Sequence, residues 1–300
     1  MTGNKEIQKR VCIANLKDRL AQKQILVAPG VYDALSALIA QQAGFESVFL
    51  SGSAVAYTQL ARPDVGLITM TEMAQSLEKI RDRVTIPICV DADSGFGNAL
   101  NTQRTVRCFE RAGASCIQIE DQRCVKRPTE VTRRPLISTS SMIGKINAAV
   151  DARLNSNTLI SARTDAFFTL GTEAAFERVA AYAEAGADMI FVEGLLDPND
   201  MCTLAKQYAG KTPLLYNALN PASASTIELE HMGYSMVLYP ASVINAVATA
   251  CQNALFELAG KSLHSAIQTN RPEQGIANII ETEAYLSSKA KYDTGQKHQN

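Results

Sequence analysis

The chain has 300 residues, with 29 Lys and Arg against 30 Asp and Glu, and therefore a net charge of −1 at pH 7. This balance excludes the basic surface that neutralises a nucleic-acid backbone, so we expect no nucleic-acid partner. The apolar runs fall short of the roughly 18 residues that cross a bilayer, so we expect no membrane partner. The 7 cysteines include no CxxC pair and predict reduced thiols in the cytoplasm.

One local pattern recurs along the chain: a helical stretch closes at a glycine, and an apolar run follows after a short turn. The glycines are Gly44, Gly113, Gly186 and Gly233. Glycine ends helices in this way because it adopts the left-handed conformation without steric cost. Further apolar runs lie between these copies, at residues 25–29, 87–91, 158–163 and 213–217. Together the two sets predict eight strands.

Helical periodicity fills the intervals between these runs. The predicted helices cover residues 33–43, 71–84, 102–111, 138–154, 172–185 and 242–258. The first carries Leu35, Leu38 and Ile39 at helical spacing. The strand runs are nearly continuous in Val, Ile and Leu, which is typical of parallel strands buried on both faces. The order predicts an α/β fold, an eight-stranded parallel βα barrel of the TIM-barrel type, with a doubly wound open sheet as the alternative.

Two segments lie outside the repeating unit. An amphipathic N-terminal helix with Ile13, Leu16 and Leu20 is predicted within residues 1–24, and a helical tail is predicted over 261–300. The barrel is expected to cover residues 25–260. Such additions commonly serve packing or oligomerisation.

Ionisable side chains gather where the predicted strands end. Asp91 and Asp93 follow one strand in the segment VDADSGFGN, and Glu120 ends the next strand. Because neighbouring parallel strands lie about 4.8 Å apart, these carboxylates can converge on one cation. Oxygen ligands without a nearby His or thiolate favour Mg²⁺.

The motifs at the strand ends resemble a known family when they are taken in order. They are SGSAVAYTQLARPDVGLITMTEM, VDADSGFGNALNTQRTV, IEDQ, LISARTDA, FVEG, LLYN and VLYPAS. Across residues 25–245 the chain resembles the phosphoenolpyruvate mutase/isocitrate lyase superfamily, above all its methylisocitrate lyases, dimethylmalate lyases and carboxyphosphonoenolpyruvate mutases. The resemblance implies a barrel that binds Mg²⁺, with Mn²⁺ as an alternative, and a homotetramer, a dimer of dimers, that exchanges C-terminal helices.

The resemblance also implies a role for individual residues. Asp91, Asp93 and Glu120 would form the metal shell, with Asp64 as a catalytic residue beside it. Arg163 would be both catalytic and substrate-binding, because its planar fork suits a carboxylate or an oxo group. The implied substrate-binding residues are Tyr32, Ser51, Gly52, Ser53, Arg163, Glu193 and Asn217.

The chain departs from the family in the lid segment, residues 123–137. Family lyases carry Lys-Arg-Cys-Gly-His there, and the cysteine protonates the leaving enolate. This chain keeps Lys126 and Arg127, but Pro128 stands in place of the cysteine, and Cys124 comes four residues too early. We therefore predict Lys126 as a catalytic residue and Glu130 as the substitute acid, provided that the closed site raises its pKa.

The lost cysteine bears on the reaction because retro-aldol cleavage needs both a base and an acid from the protein. Decarboxylation needs no such acid, because solvent can protonate the enolate. We predict a Mg²⁺-dependent carbon–carbon lyase acting on a small oxo- or hydroxy-dicarboxylate through a pyruvate-type enolate, either oxaloacetate decarboxylase-like or methylisocitrate lyase-like. The alternatives are a phosphonopyruvate hydrolase or phosphoenolpyruvate mutase-like enzyme and a catalytically silent binding protein. The basic residues around the lid segment suit a second carboxylate. They are Arg123, Lys126, Arg127, Arg133 and Arg134.

Overall fold

All eight predicted strands are present, and they close into a barrel. The computed structural model describes residues 15–123, 134–208, 210–218, 224–260 and 282–289. The strands run parallel in chain order, and β8 pairs with β1, so the barrel prediction is confirmed and the open sheet was wrong. The strands are β1 (Leu26–Val31), β2 (Val48–Leu50), β3 (Ile88–Asp91), β4 (Cys116–Glu120), β5 (Leu159–Thr164), β6 (Met189–Val192), β7 (Leu214–Asn217) and β8 (Met236–Tyr239).

Helices surround the barrel on the outside. The helices at predicted positions are α2 (Ala34–Gln42), α4 (Met70–Arg83), α5 (Ala99–Ala112), α6 (Thr139–Ala152), α8 (Thr172–Glu184) and α11 (Ser242–Leu258). The remaining helices are α1 (Leu16–Leu20), α3 (Gly52–Leu60), α7 (Ala166–Leu170), α9 (Pro198–Tyr208), α10 (Thr226–Met232) and α12 (Thr282–Lys289). In the described ranges, no helix combines the length and the apolarity that crossing a bilayer requires.

The glycines that were predicted to close helices do adopt the left-handed conformation. Gly44, Gly113, Gly186 and Gly233 have φ values of 90°, 99°, 97° and 103°. Gly113 and Gly233 are the capping residues that follow α5 and α10. The repeated glycine therefore marks the turn from a helix into the next strand at these four positions, as predicted.

The amino-terminal end of the barrel is packed with apolar side chains. Leu16 and Leu20 of α1 are buried in one cluster with residues that begin strands, among them Leu26, Leu159 and Met236. The helix α1 thus covers this end of the barrel, while the carboxyl ends of the strands stay available for a site. Ile13, the third predicted member of this helix, lies outside the described residues.

The apolar stripe of α2 does not face the barrel. Leu35 and Ile39 are 65% and 55% exposed, whereas the buried residues of this helix include the small Ala37 and Ala40. Small side chains let the helix lie close to the strands beneath it. The periodicity predicted the helix correctly, but the large apolar residues are on its outer face.

Close packing at the end of β1 makes Gly30 sensitive to substitution. A Cβ on this residue would lie 2.1 Å from the carbonyl oxygen of Pro240, which is backbone and cannot rotate away. We expect Gly30→Ala to lower the free energy of unfolding by about 1–3 kcal/mol, as overpacking does. Urea denaturation measures this change.

The matched control is Gly144→Ala, within α6, where a Cβ meets nothing within 4 Å. Because alanine favours helices over glycine, this control is expected to be neutral or to stabilise by up to about 1 kcal/mol. Equal effects of the two substitutions would contradict the packing argument.

Candidate active site

A cavity of about 360 Å³ opens at the carboxyl ends of the strands, the end where βα barrels carry their sites. Its lining comes from strand ends, from α3 and the segment after it, from the lid segment and from α12. The lining residues are Phe49, Ser51, Ser53, Tyr57, Pro63, Asp64, Val65, Asp91, Gln118, Arg134, Arg163, Glu193, Asn217, Leu238, Pro240, Thr282 and Leu286.

The three predicted metal ligands converge beside this cavity. Carboxylate oxygens of Asp91, Asp93 and Glu120 all lie within 4.8 Å of one another. Asp91 and Glu120 are the last residues of the adjacent strands β3 and β4. Asp93 has a left-handed φ of 45°, and its N–H donates to Asp91 Oδ1 at 3.0 Å. The Glu120 N–H donates to the Asp93 carbonyl at 2.8 Å, so the backbone holds the cluster together.

Neighbouring residues hold the loop that carries Asp93. The buried Lys145 Nζ donates to the Ser94 carbonyl at 2.8 Å, and Thr105 Oγ1 donates to the Gly95 carbonyl at 3.1 Å. At Gly95, where φ is 82°, a Cβ would lie 2.4 Å from Thr102 Oγ1. This acidic cluster fits Mg²⁺, because three carboxylates on a braced backbone supply the hard oxygen ligands that this cation prefers.

The acidic cluster also borders a second cavity. Asp93 and Glu120 line a space of about 400 Å³ together with Phe96, Arg104 and Arg123. Asp91 lines the first cavity, so the carboxylates lie between the two spaces. Both arginines are exposed.

Arg163 is the central cation of the first cavity. It binds Asp165 in a bidentate manner, through Nε and Nη2, each at 3.0 Å. Its guanidinium also lies 3.4 Å from Glu120 and 3.7 Å from Glu193. Burial opposes the charge, but the carboxylates of Asp165, Glu193 and Glu120 outweigh it and hold the pKa of Arg163 above its ordinary value. Arg163 is therefore a permanent cation at the cavity wall.

Asp165 is buried and accepts hydrogen bonds from several donors. Besides Arg163, it binds Arg134 Nη1 and accepts from Gln122 Nε2 at 3.1 Å. Burial raises the pKa of this carboxyl, but the two guanidiniums more than compensate and lower it below its ordinary value. Asp165 therefore stays ionised and fixes both arginines at the cavity wall.

A buried network behind Asp165 was missed by the sequence analysis. Asp121 accepts from Thr164 Oγ1 at 2.7 Å, Arg178 Nη1 at 2.9 Å and Tyr182 OH at 2.8 Å. Its other oxygen accepts from the Asp165 N–H at 3.0 Å. This bond anchors Asp165, the carboxylate that pairs with Arg163. Arg178 and Tyr182 are four residues apart on one face of α8. A polar pair at that spacing on a buried helix face was the available signal.

The structure brings most of the predicted substrate-binding residues into the cavity. Ser51 caps the N-terminus of α3, and its Oγ lies 3.0 Å from Ser53 Oγ. Asn217 Nδ2 donates to Glu193 Oε2 at 3.2 Å. The buried Asn217 Oδ1 has no hydrogen-bond partner among the described residues, so it can bind a ligand. A Cβ at Gly52 would lie 3.0 Å from Asp91 Oδ2, which explains glycine next to the acidic cluster.

Other predicted residues are not brought into this cavity. Tyr32 lines a neighbouring apolar groove with Leu35 and Ile39, so its substrate-binding role stays a prediction. Lys126 and Glu130 lie outside the described residues, and their catalytic roles also stay predictions. Cys124 lies outside them as well.

The helix α12 covers part of the cavity mouth. Its residues Thr282 and Leu286 line the cavity, and the guanidinium of Arg62 lies 4.8 Å from the ring centroid of Tyr285. The predicted C-terminal tail thus reaches the site within one chain. Its exchange between subunits stays a prediction.

The fold and the site define a βα-barrel protein whose ligand cavity adjoins an acidic cluster suited to a divalent cation. The chain belongs to the phosphoenolpyruvate phosphomutase family, whose model matches residues 16–259, within the PEP mutase/isocitrate lyase superfamily. This finding confirms the superfamily that the motifs predicted.

Named relatives place the chain near the lyases of this superfamily. It is 41% identical to a 2,3-dimethylmalate lyase of Eubacterium barkeri, over 79% of this chain and 82% of that protein. It is 42% identical to a 2-methylisocitrate lyase of Aeropyrum pernix, over 82% of this chain and 79% of that protein. These names agree with the predicted class of carbon–carbon lyases.

A solved structure bears on the cofactor. The complex of a phosphonopyruvate hydrolase with oxalate and Mg²⁺ is similar to this chain with a TM-score of 0.74 and 29% identity. The match covers 93% of this chain and 98% of that one. A related barrel therefore holds the predicted cation together with a small dicarboxylate.

Proposed function

We propose that this protein is a Mg²⁺-dependent carbon–carbon lyase that cleaves a small oxo- or hydroxy-dicarboxylate through a pyruvate-type enolate. The observation that carries the proposal is the convergence of Asp91, Asp93 and Glu120 beside a cavity that also contains Arg163. The identity to named lyases supports the same reaction class.

Mg²⁺ is the proposed cofactor, with Mn²⁺ as its substitute, and Asp91, Asp93 and Glu120 would hold it. When bound, the cation supplies Lewis-acid stabilisation of negative charge on the substrate. The oxygen-only donor set and the oxalate–Mg²⁺ complex of a related barrel support this choice.

The chain's own residues bind and orient the substrate. Ser51 and Ser53 offer hydroxyl donors to one carboxylate from the start of α3. The N–H groups on Arg163 Nη1 make no hydrogen bond to the described residues, so they remain for the substrate oxygen that gains charge on cleavage. Glu193, 3.7 Å from Arg163, and Asn217, which donates to Glu193, contribute further polar groups to the cavity. Asp64, which lines the same cavity, is the proposed catalytic carboxylate.

Two reactions fit this arrangement. Decarboxylation of an oxaloacetate-like substrate leaves an enolate that solvent can protonate, so it needs no acid from the lid segment. Retro-aldol cleavage needs an acid at the leaving carbon, and Glu130 is the proposed group. The names of the two relatives favour retro-aldol substrates, because 2,3-dimethylmalate is a hydroxy-dicarboxylate and 2-methylisocitrate is a hydroxy-tricarboxylate.

Pyruvate release tests the proposal. The purified chain is assayed with lactate dehydrogenase as coupling enzyme and with oxaloacetate, methylisocitrate, dimethylmalate or phosphonopyruvate, each with Mg²⁺ and with a chelator. We expect one of the three carbon–carbon substrates to be turned over well above the metal-only background. Turnover of phosphonopyruvate alone would identify a hydrolase, and no turnover would favour a silent binding protein.

A retro-aldol substrate calls for a second comparison. Glu130→Gln is expected to abolish its turnover, whereas Cys124→Ser is expected to leave turnover within about twofold of the native rate. Loss of turnover in Cys124→Ser but not in Glu130→Gln would instead identify Cys124 as the acid. Oxaloacetate decarboxylation should be insensitive to both substitutions.

We also propose that the protein acts as a homotetramer in the cytoplasm. Large apolar side chains are exposed along α2 and α11, including Leu35, Ile39, Leu255 and Leu258, and association would bury them. Sedimentation analysis tests the assembly. The cytoplasmic location rests on the cysteine pattern.

A further inference from the structure

Arg134 is the one of the basic residues around the lid segment that is described as lining the first cavity. It lies at the end of the lid segment, and its side chain is 23% exposed. Its guanidinium binds Asp165 Oδ1, the same oxygen that accepts from Arg163 Nη2. Because one oxygen is shared, the two guanidiniums lie side by side at the cavity wall.

The backbone fixes Arg134 in this position. The Arg123 N–H donates to the Pro135 carbonyl at 2.7 Å, and the Ile137 N–H donates to the Asp121 carbonyl at 2.9 Å. The ends of the lid segment are therefore joined next to β4, and Arg134 stands at their base. It adopts a φ of 35°, which few residues other than glycine do and which marks a position held by its surroundings.

An aromatic platform supports the side chain. The guanidinium carbon lies 4.5 Å from the ring centroid of Phe168, an arrangement that stabilises a cation. The ring in turn needs Gly194 beneath it, because a Cβ there would lie 2.1 Å from Phe168 Cζ. The glycine of the FVEG motif thus makes room for the ring that supports Arg134.

The N–H donors of the Arg134 guanidinium suit a carboxylate ligand. A guanidinium has five N–H groups in a planar fork that matches a carboxylate. Asp165 binds one nitrogen of Arg134, and Glu193 lies 3.7 Å from the same nitrogen, which leaves the rest of the fork at the cavity. Arg163 lies closer to the acidic cluster, since it contacts Glu120 at 3.4 Å.

We infer that Arg134 is a specificity-determining residue that binds the second carboxylate of the substrate, on the fragment that leaves. The inference rests on the proposed function, and it restricts the substrate class to anions with at least two carboxylates. Because Arg134 lies beside Arg163, a substrate whose reacting oxygen binds Arg163 can place its second carboxylate on Arg134. A monocarboxylate would use only the side of the cavity near Ser51 and the acidic cluster.

The test compares two non-reacting hydroxy acids in the presence of Mg²⁺. Malate and lactate share the hydroxy-carboxylate group, and malate adds one carboxylate. Calorimetric titration of the chain is expected to show malate binding at least tenfold more tightly than lactate. Arg134→Gln is expected to remove most of this preference while the lactate Kd stays within about twofold, which shows that the rest of the site is intact.

Two further variants sharpen the result. Arg134→Lys keeps the charge but not the fork, so it should retain part of the preference. Arg107→Gln removes an equivalent charge from the exposed face of α5 and should keep the native ratio. A native chain that binds malate no more tightly than lactate, or an Arg134→Gln variant with the native ratio, would overturn the assignment. Failure of the proposed lyase activity appears separately, as the absence of pyruvate release.

Discussion

Replacement of Asp93 by asparagine is expected to abolish catalysis while leaving the fold intact. The substitution preserves size but removes one of the three carboxylate charges that lie within 4.8 Å of one another. Divalent cation affinity should fall sharply, because an amide oxygen is a weaker ligand than a carboxylate for a hard cation. Losing several kcal/mol of charge stabilisation corresponds to a decrease in kcat/KM of roughly a thousandfold or more.

Two measurements check this expectation. Pyruvate release gives kcat/KM on the best substrate, and titration with Mn²⁺, followed by its paramagnetic relaxation signal, gives the metal affinity. Asp82→Asn, which removes an exposed carboxylate from α4, is the matched control and should change neither value. If Asp93→Asn keeps native activity both with a chelator and in saturating Mg²⁺, the proposal of a metal-dependent reaction is wrong.

Substitution of Arg163 should separate its catalytic from its structural contribution. In Arg163→Lys a cation remains near Asp165, but the bidentate pair and the Nη1 donors are lost. We expect kcat/KM to fall by about 100- to 1000-fold, as when an oxyanion donor is removed. The free energy of unfolding should fall by no more than about 1–3 kcal/mol, since the charge is conserved.

Arg163→Met should have a different profile. It leaves Asp165, Glu120 and Glu193 buried without their common cation, so the free energy of unfolding should fall by about 3–5 kcal/mol in urea denaturation. Arg153→Lys is the control, because Arg153 pairs with Asp188 at 2.6 Å and does not line the cavity. That change should alter stability and spare activity. Native activity in Arg163→Lys would exclude Arg163 from substrate binding.

The strand order and the acidic cluster could be predicted from local sequence. Continuous apolar runs require burial on both faces, and parallel strands place their carboxyl ends at one rim of the barrel. Asp91 and Glu120 end adjacent strands, so chain order alone made them neighbours. Ser51, Arg163, Glu193 and Asn217 follow from the same rule, and all of them line the cavity.

Other features depended on packing that local sequence does not encode. The short helix α3 was not among the predicted helices, although Ser51 caps its N-terminus. Leu35 and Ile39 predicted a helix but not which of its faces is buried, because the small residues of α2 decide how close it lies to the barrel.

The chain by itself therefore determined the barrel, the repeated helix-closing glycines and the residues at the strand ends, since each depends on the spacing of neighbouring residues. Tertiary structure alone decided the rest of the site. It joined Asp121 on β4's end to Arg178 and Tyr182 on α8, more than 50 residues away, and it placed Arg134 beside Arg163 on a shared carboxylate. Long-range ion pairs of this kind arise because buried charges must find partners, and only the closed barrel brings those partners together.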